Sequence, residues 1–401
     1  MGYRINNGDS LLQTGWNSLL ADESQERDVL TGLTGTYAGK DTTLSDGAVM
    51  RVNLGPSENS KTLGLCLDLD DAGIQGAGKN LVGNTEDLRT RNLTVYSNDV
   101  RHGVNNEMYG LFAHRNEKYG LVQKAQPKLS KWLKARKGKH RRQALLEGFS
   151  DNLVEAPTSQ TMTWNKNWLV KNVAEGSQPT YDSTAVDFQA NIQTALAAAG
   201  TSADALIDSK FFSRLEYYVV NKWKLEPMAD GSYVVLLPSR SAVYLKDLQN
   251  SGGFANIYKD TNNDKYIKAA YGSYITKIGK FHIIEDERAP VLNNNSNDGS
   301  LTAYYRDVGS VDYRSSYNNA TSGYAVFDMG IVLGRGALIE TTSMAPRFDD
   351  EVSDFNRLKS IGMSTGYGNQ VTEYDADTAT DDTKINQNSG VLALFQGTFT
   401  A

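Results

Sequence analysis

Leu63, Leu65, Leu67 and Leu69 alternate with polar or small residues, and the same period of two returns at Leu93 and Val95. That period puts successive side chains on opposite faces of an extended chain, so it marks a half-buried strand. Residues 61–103 are accordingly predicted to form one long β-hairpin. The Gly-rich stretch Gly73 to Gly83 at its tip has the composition of a segment without regular structure. A two-stranded hairpin is marginal in water by itself. It needs a surface to lie on, in its own domain or in a neighbouring chain.

Helical periods occur elsewhere. Asp9 to Arg27 carries Leu11, Leu12, Trp16, Leu19 and Leu20 on one face, whereas Thr31 to Val49 has little helical pattern. From Pro127, a residue suited to a first helical turn, to Phe149 there are two apolar stripes. Leu129, Trp132 and Leu133 form one, and Leu145, Leu146 and Phe149 the other. At about 100° per residue they do not share a face, and Gly138 lies between them. The pattern fits either two helical pieces or one long helix touching different neighbours along its length. Gln189 to Ala199 predicts a helix stopped at Gly200. The next runs from about Ala203 to Trp223 with Leu206, Ile207, Phe211, Leu215 and Val219 on its apolar side.

Asp230-Gly231 predicts a turn into a strand from Tyr233 to Leu237. Pro238-Ser239 ends it and opens a short helix with Ala242, Leu245 and Leu248 inward. Tyr274 to Ile278 and Phe281 to Ile284 read as strands joined across Gly279-Lys280. Gly323 to Ile339 is a further apolar-faced block, and Arg357 to Met363 and Val391 to Phe399 read as closing strands. Asn293 to Gly299 and Asp375 to Asp382 read as polar surface loops. There is no fixed-period repeat and no regular strand–helix alternation, so the class is α+β.

Composition narrows the function classes. A chain of 401 residues can bury a sizeable core in two or three domains without a disulfide or metal staple. The one cysteine, Cys66, cannot form an intrachain disulfide, and no Cys/His zinc pattern is present. That fits folding in a reducing cytoplasm. The first residues have no secretory-signal pattern, and Asn6 stands where a myristoylation motif has Ser or Thr. No apolar run reaches the roughly 18 residues that span a bilayer, so a soluble chain with no membrane partner is expected. A net charge of −6 argues against a dedicated nucleic-acid binder. The 21 tyrosines outnumber the 12 phenylalanines and 5 tryptophans together, a bias that suits strands and interfaces.

No constellation for catalysis emerges. His102, His114, His140 and His282 form no HExxH pair. Gly32 to Lys40 fails as a phosphate loop, because Thr34 replaces the first glycine and Asp41 the magnesium-binding hydroxyl. Asp260 to Asp264 begins like a calcium loop, but Lys265 and Tyr271 replace its glycine and its glutamate. No catalytic, cofactor-binding or metal residues are assigned, and no cofactor is expected. One charged feature stands out: nine Lys or Arg between Lys124 and Arg142. Lys131, Lys134, Arg136, Lys137, Lys139, Arg141 and Arg142 are candidates for contact with DNA phosphates or with another subunit. A solvated helix face, or pairing with acidic residues of the same or a neighbouring chain, would use the same run.

Several blocks carry a resemblance. They are Asn80 to Leu88 followed by Arg101 to Val104, then Tyr233 to Leu248, Tyr271 to Glu285, and Gly330 to Leu338. In order and spacing they resemble the major capsid proteins of tailed bacteriophages, specifically the N-four-like short-tailed phages. The resemblance covers about residues 60–400. It implies the Hong Kong 97-like capsid fold, with an N-terminal arm (1–60), an extended β-hairpin loop (61–103) and a peripheral domain with a spine helix (104–202). An axial domain (203–375) and a strand returning to the peripheral domain (376–401) complete it. The implied function is a non-enzymatic subunit that assembles into pentamers and hexamers of an icosahedral head around double-stranded DNA. Its implied place is the virion, after synthesis in the host cytoplasm. Portal, scaffolding or decoration proteins are the implied further partners. On the hairpin, Leu63, Leu65, Leu67, Leu93 and Val95 are candidates for packing on a neighbour, and Asp68, Asp70, Arg89 and Arg91 for ion pairs at the contact rim. Two rivals remain from the residues themselves: another virion component such as a tail or fibre protein, and a nucleic-acid binder working through 124–142.

Overall fold

The computed structural model describes residues 28–36, 47–55, 58–66, 90–107, 121–147, 167–171, 173–179, 191–192, 194–195, 207, 209–239, 241–242, 245, 274–295, 300–304, 324–353, 358–372 and 391–397. The chain begins with α1 (Val29–Gly32), β1 (Thr34–Thr36), β2 (Val49–Asn53), β3 (Ser60–Cys66), β4 (Thr90–Tyr96) and β5 (Asn98–Glu107). Then come α2 (Leu121–Glu147), β6 (Trp168–Val170) and α3 (Ser209–Tyr217), which runs on as one π-helical turn over Tyr218–Lys222. The remaining strands are β7 (Tyr233–Pro238), β8 (Tyr274–Ile278), β9 (Phe281–Asp286), β10 (Val291–Asn295), β11 (Ser300–Tyr304), β12 (Tyr324–Leu333), β13 (Leu338–Ser353), β14 (Leu358–Val371) and β15 (Val391–Gly397).

Two sheets organise these elements. The first has the order β1-β2-β13-β14-β5. The second runs β11-β10-β12-β7-β9-β8, with β15 paired to both β12 and β6. At the centre of the second sheet, β7 lies between β12 and β9 and is buried at all six positions. A near-continuous apolar run is what a strand covered on both faces requires. On one face, Val235, Leu237, Phe281 and Ile283 pack against Phe211, Phe212, Leu215 and Val219 of α3 and its π turn. On the other, Val234, Leu236, Ile284, Ile331 and Leu333 meet Leu30 of α1 and Ala144 and Leu145 of α2. The turn at Gly279 between β8 and β9 has φ 57°, a left-handed conformation that glycine adopts without a Cβ clash.

The link between the sheets is short. Gly334 to Ala337 joins β12 directly to β13, with Gly336 at φ 61°. Both sides hold it. Arg335 N–H donates to the Glu226 carbonyl (3.0 Å), Gly336 N–H to Gly47 (2.8 Å), and Thr372 N–H to the Ala337 carbonyl (3.1 Å).

Several expectations change. Residues 127–149 were open between two helical pieces and one; α2 is a single helix of 27 residues with Pro127 inside it rather than in its first turn. Its stripes do touch different neighbours. Leu129 and Leu133 pack with Val100, Phe348, Ile361, Met363 and Tyr367 of the first sheet, while Ala144 and Leu145 reach the core between the sheets. The hairpin is shorter than 61–103, because from Asn98 the chain leaves β3 and pairs with β14 instead. Within the segment 203–375, β7 to β12 belong to the second sheet, and β13 and β14 lie with β2 and β5 in the first. Residues 391–397 form β15, which pairs with β12 and with β6, a strand within the 104–202 segment.

Candidate subunit interface and buried charge junction

The hairpin has a dry face and a wet face. Leu63 and Leu93 are register partners, and with Val95 they are buried on Met50, Val52, Leu54 and Ile339. Side chains 3%, 5% and 0% exposed within their own chain have little area left for another copy. These three candidates therefore anchor the hairpin base. On the wet face, Thr62 and Thr94 share a hydrogen bond between their Oγ1 atoms at 3.2 Å, beside exposed Asn92. Leu65 and Arg91 are directly opposed in the ladder. Leu67, Asp68, Asp70, Arg89 and the Gly-rich tip lie outside the described residues, so their contact role stands as an expectation.

The basic run divides along α2. Lys131 is exposed, and Lys134, Arg136 and Lys139 are half-buried. Lys137, Arg141 and Arg142 are buried, which removes them from any contact with DNA phosphates. Their burial follows from spacing. Arg142 stands three and four positions before Leu145 and Leu146, hence on the same helical face as the apolar residues.

Both guanidiniums are matched by carboxylates from distant segments. Arg142 grips Asp286, at the end of β9, in a two-pronged fork, with Nε donating to Oδ2 (2.8 Å) and Nη2 to Oδ1 (2.6 Å). The planar fork fits a carboxylate edge to edge, the strongest arrangement such a pair has. Its Nη2 also reaches Asp28 Oδ1 (2.9 Å), and its Nη1 donates to the Gly138 carbonyl (2.8 Å). Arg141 donates to Glu340 Oε2 on β13 from Nη2 (2.6 Å) and Nε (3.1 Å). From Nη1 it donates to Asp28 Oδ2 (3.1 Å) and Thr31 Oγ1 (2.6 Å). Gly138 is what lets these groups approach the helix. A Cβ there would stand 2.8 Å from Arg288 Nη1 and 3.2 Å from Arg142 Nη1.

The charges set one another's ionisation. Burial alone would raise the Asp28 carboxyl, but Arg142 and Arg141 outweigh it and hold Asp28 well below the usual carboxylate range. Burial likewise opposes ionisation of Glu340, and Arg141 and Lys137 overcome it. The Lys137 ammonium is pulled down by burial against the opposing attraction of Glu340. Its Nζ lies over the Tyr367 ring, 5.1 Å from the centroid. Tyr367 in turn meets His140 Nδ1 at 3.0 Å. Asp28, Asp286, Glu340 and Thr31 were absent from the sequence-based candidates; no short-range spacing links them to α2.

Among the described residues no group of three His, Cys, Asp or Glu side chains is placed to hold a metal ion. No helix among them is long and apolar enough to cross a membrane. No protein-family model matches the sequence, and no curated protein matches it. Solved structures do. The capsid of Ralstonia phage GP4 is 14% identical and superposes over 100% of this chain and 99% of its own, with a TM-score of 0.57. The acidic stable capsid structure of Helicobacter pylori bacteriophage KHP30 is 14% identical, with 93% and 91% covered and a TM-score of 0.57. The capsid asymmetric unit of cyanophage Pam1 is 14% identical, with 93% and 92% covered and a TM-score of 0.54. The chain has the Hong Kong 97-like fold. Within that fold, the first sheet carries the hairpin base, and the charge junction lies where α2 meets both sheets.

Proposed function

We propose that this chain is the major capsid protein of a tailed bacteriophage. It assembles into pentamers and hexamers of an icosahedral head that encloses double-stranded DNA. The observation that carries the reading is likeness over long stretches: the capsid of Ralstonia phage GP4 superposes over 100% of this chain and 99% of its own, with a TM-score of 0.57. The hairpin supports it. Its described base, β3 and β4, is packed on the first sheet of its own chain. Ring closure then follows from head-to-tail contact of identical copies, and several modest contacts per copy give a stable shell. The sequence blocks favour the N-four-like short-tailed branch. The virion is the site of action, with portal, scaffolding or decoration proteins as partners and no chemistry on a substrate.

A dedicated nucleic-acid-binding role is the weaker reading, because three of the seven candidate cations are buried within the chain. Exposed Lys131 and half-buried Lys134, Arg136 and Lys139 remain for nonspecific contact with packaged DNA. Negative-stain imaging of the purified chain tests the assignment, with closed shells or ring-shaped capsomers expected. Deleting Gly73 to Gly83 is expected to leave a folded subunit that closes no shells; normal particles from that deletion would remove the hairpin from assembly.

A further inference from the structure

We infer that Asp28–Thr36 is a latch that fixes the two sheets against each other across α2, and that its seating switches the subunit between a locked and a loosened form. Asp28 is the carboxylate common to both halves of the junction. It accepts from Arg141 Nη1 at 3.1 Å and from Arg142 Nη2 at 2.9 Å. The other carboxylates are divided between the sheets. Glu340 holds Arg141 from β13 of the first, and Asp286 holds Arg142 from the end of β9 of the second. The apolar side repeats the division. Leu30, fully buried, belongs to one cluster with Val49, Leu338 and Val371 of the first sheet and Val234, Leu236 and Ile331 of the second.

The latch is held lightly for a group in that position. β1 contributes three register pairs to β2, and α1 is four residues long. Asp28 occupies the N-cap position of α1 but makes no capping hydrogen bond with its side chain, since both its oxygens face guanidiniums. Short elements of this kind open locally at lower cost than the sheets they lie on. Withdrawing Asp28 also leaves no stranded charge. Arg141 keeps Glu340 and Arg142 keeps Asp286, one pair for each sheet. The unlatched junction is thus two separate pairs rather than a broken one, which gives the subunit two discrete arrangements. The inference itself concerns the single chain and does not depend on shells forming.

The test compares the full-length chain with its Asp28→Asn variant, using scanning calorimetry and hydrogen exchange read by mass spectrometry on dispersed subunits. The parent chain is expected to unfold in one transition and the variant in two. Exchange in 29–36 and 138–146 is expected to rise at least tenfold, while β7, inside the second sheet, keeps its protection. A single transition displaced to lower temperature, with exchange raised evenly everywhere, would make Asp28 an ordinary core group and overturn the latch. Should Asp28→Asn not accumulate folded, Thr31→Val decides. It removes one bond from Arg141 to the latch and leaves every ion pair in place. A rise of about threefold confined to the same segments supports the proposal, and no local change overturns it.

Discussion

The two halves of α2 treat charge in opposite ways. From Ala125 to Arg136 the helix turns Leu129 and Leu133 inward and leaves Lys128 and Lys131 in water. From Lys137 to Leu146 it turns nearly everything inward, arginines included. Among the described residues, the apolar side of the first half packs on the sheet of β5, β13 and β14. The second is enclosed by α1, β9 and β13 at once, so no solvent face is left for Arg141 or Arg142. A buried guanidinium is tolerable only when paired and hydrogen-bonded, and here three carboxylates reach that one turn. The difference teaches that a run of like charges is not one feature. Its members take their roles from what surrounds each turn of the helix.

The sharpest way to break the contrast is to truncate an arginine in the second half and a lysine in the first. Arg142→Ala would leave Asp286 and Asp28 short of a partner in a dry site and is expected to cost about 3–5 kcal/mol in urea unfolding. Lys131→Ala should change stability by less than about 0.5 kcal/mol. Equal losses would mean that the halves do not differ.

Acid sharpens it next. Asp28 and Glu340 are held below their ordinary values in the folded chain. Their contribution is therefore fully present above the unfolded carboxylate range near pH 4–4.5 and is lost as pH falls through the folded values. Stability should drop by roughly 2–3 kcal/mol from pH 5 to pH 2 for one such carboxylate. Unfolding curves of Asp28→Asn over the same range should have a visibly smaller slope.

The smallest expected effect concerns Gly138. Glycine inside an exposed helix is worse than alanine by about 1 kcal/mol, so Gly138→Ala would ordinarily stabilise. With the new Cβ 2.8 Å from Arg288 Nη1 and 3.2 Å from Arg142 Nη1, it should instead destabilise by about 1 kcal/mol. Thermal denaturation of the variant gives the sign.

The parts of the fold that were legible in the sequence are those governed by local periodicity. The alternation at Leu63 and Leu93 gave the paired base of the hairpin, the Phe211–Leu215–Val219 stripe gave α3, and Gly279 gave the β8–β9 turn. Most of β13 was not legible. From Glu340 to Ser353 it is largely polar and contains Pro346, with two register irregularities against β14, so it shows no clean period of two. The junction was hidden for another reason. Arg141 lies 199 residues from Glu340 and 113 from Asp28, and pairing at that range leaves no local trace. Gly138 looked like an interruption because only its helical cost is visible in one dimension. The space it opens for guanidiniums appears once β9 and α1 are in place.

The four-residue link from Gly334 to Ala337 has a mechanical consequence. β12 lies inside one sheet and β13 inside the other, so tension between these two strands passes directly through this short tie. The Glu226 and Gly47 carbonyls, accepting from Arg335 and Gly336, and the Thr372 N–H, donating to Ala337, hold three of its four residues. A pull on the tie therefore loads these hydrogen bonds as well as the backbone.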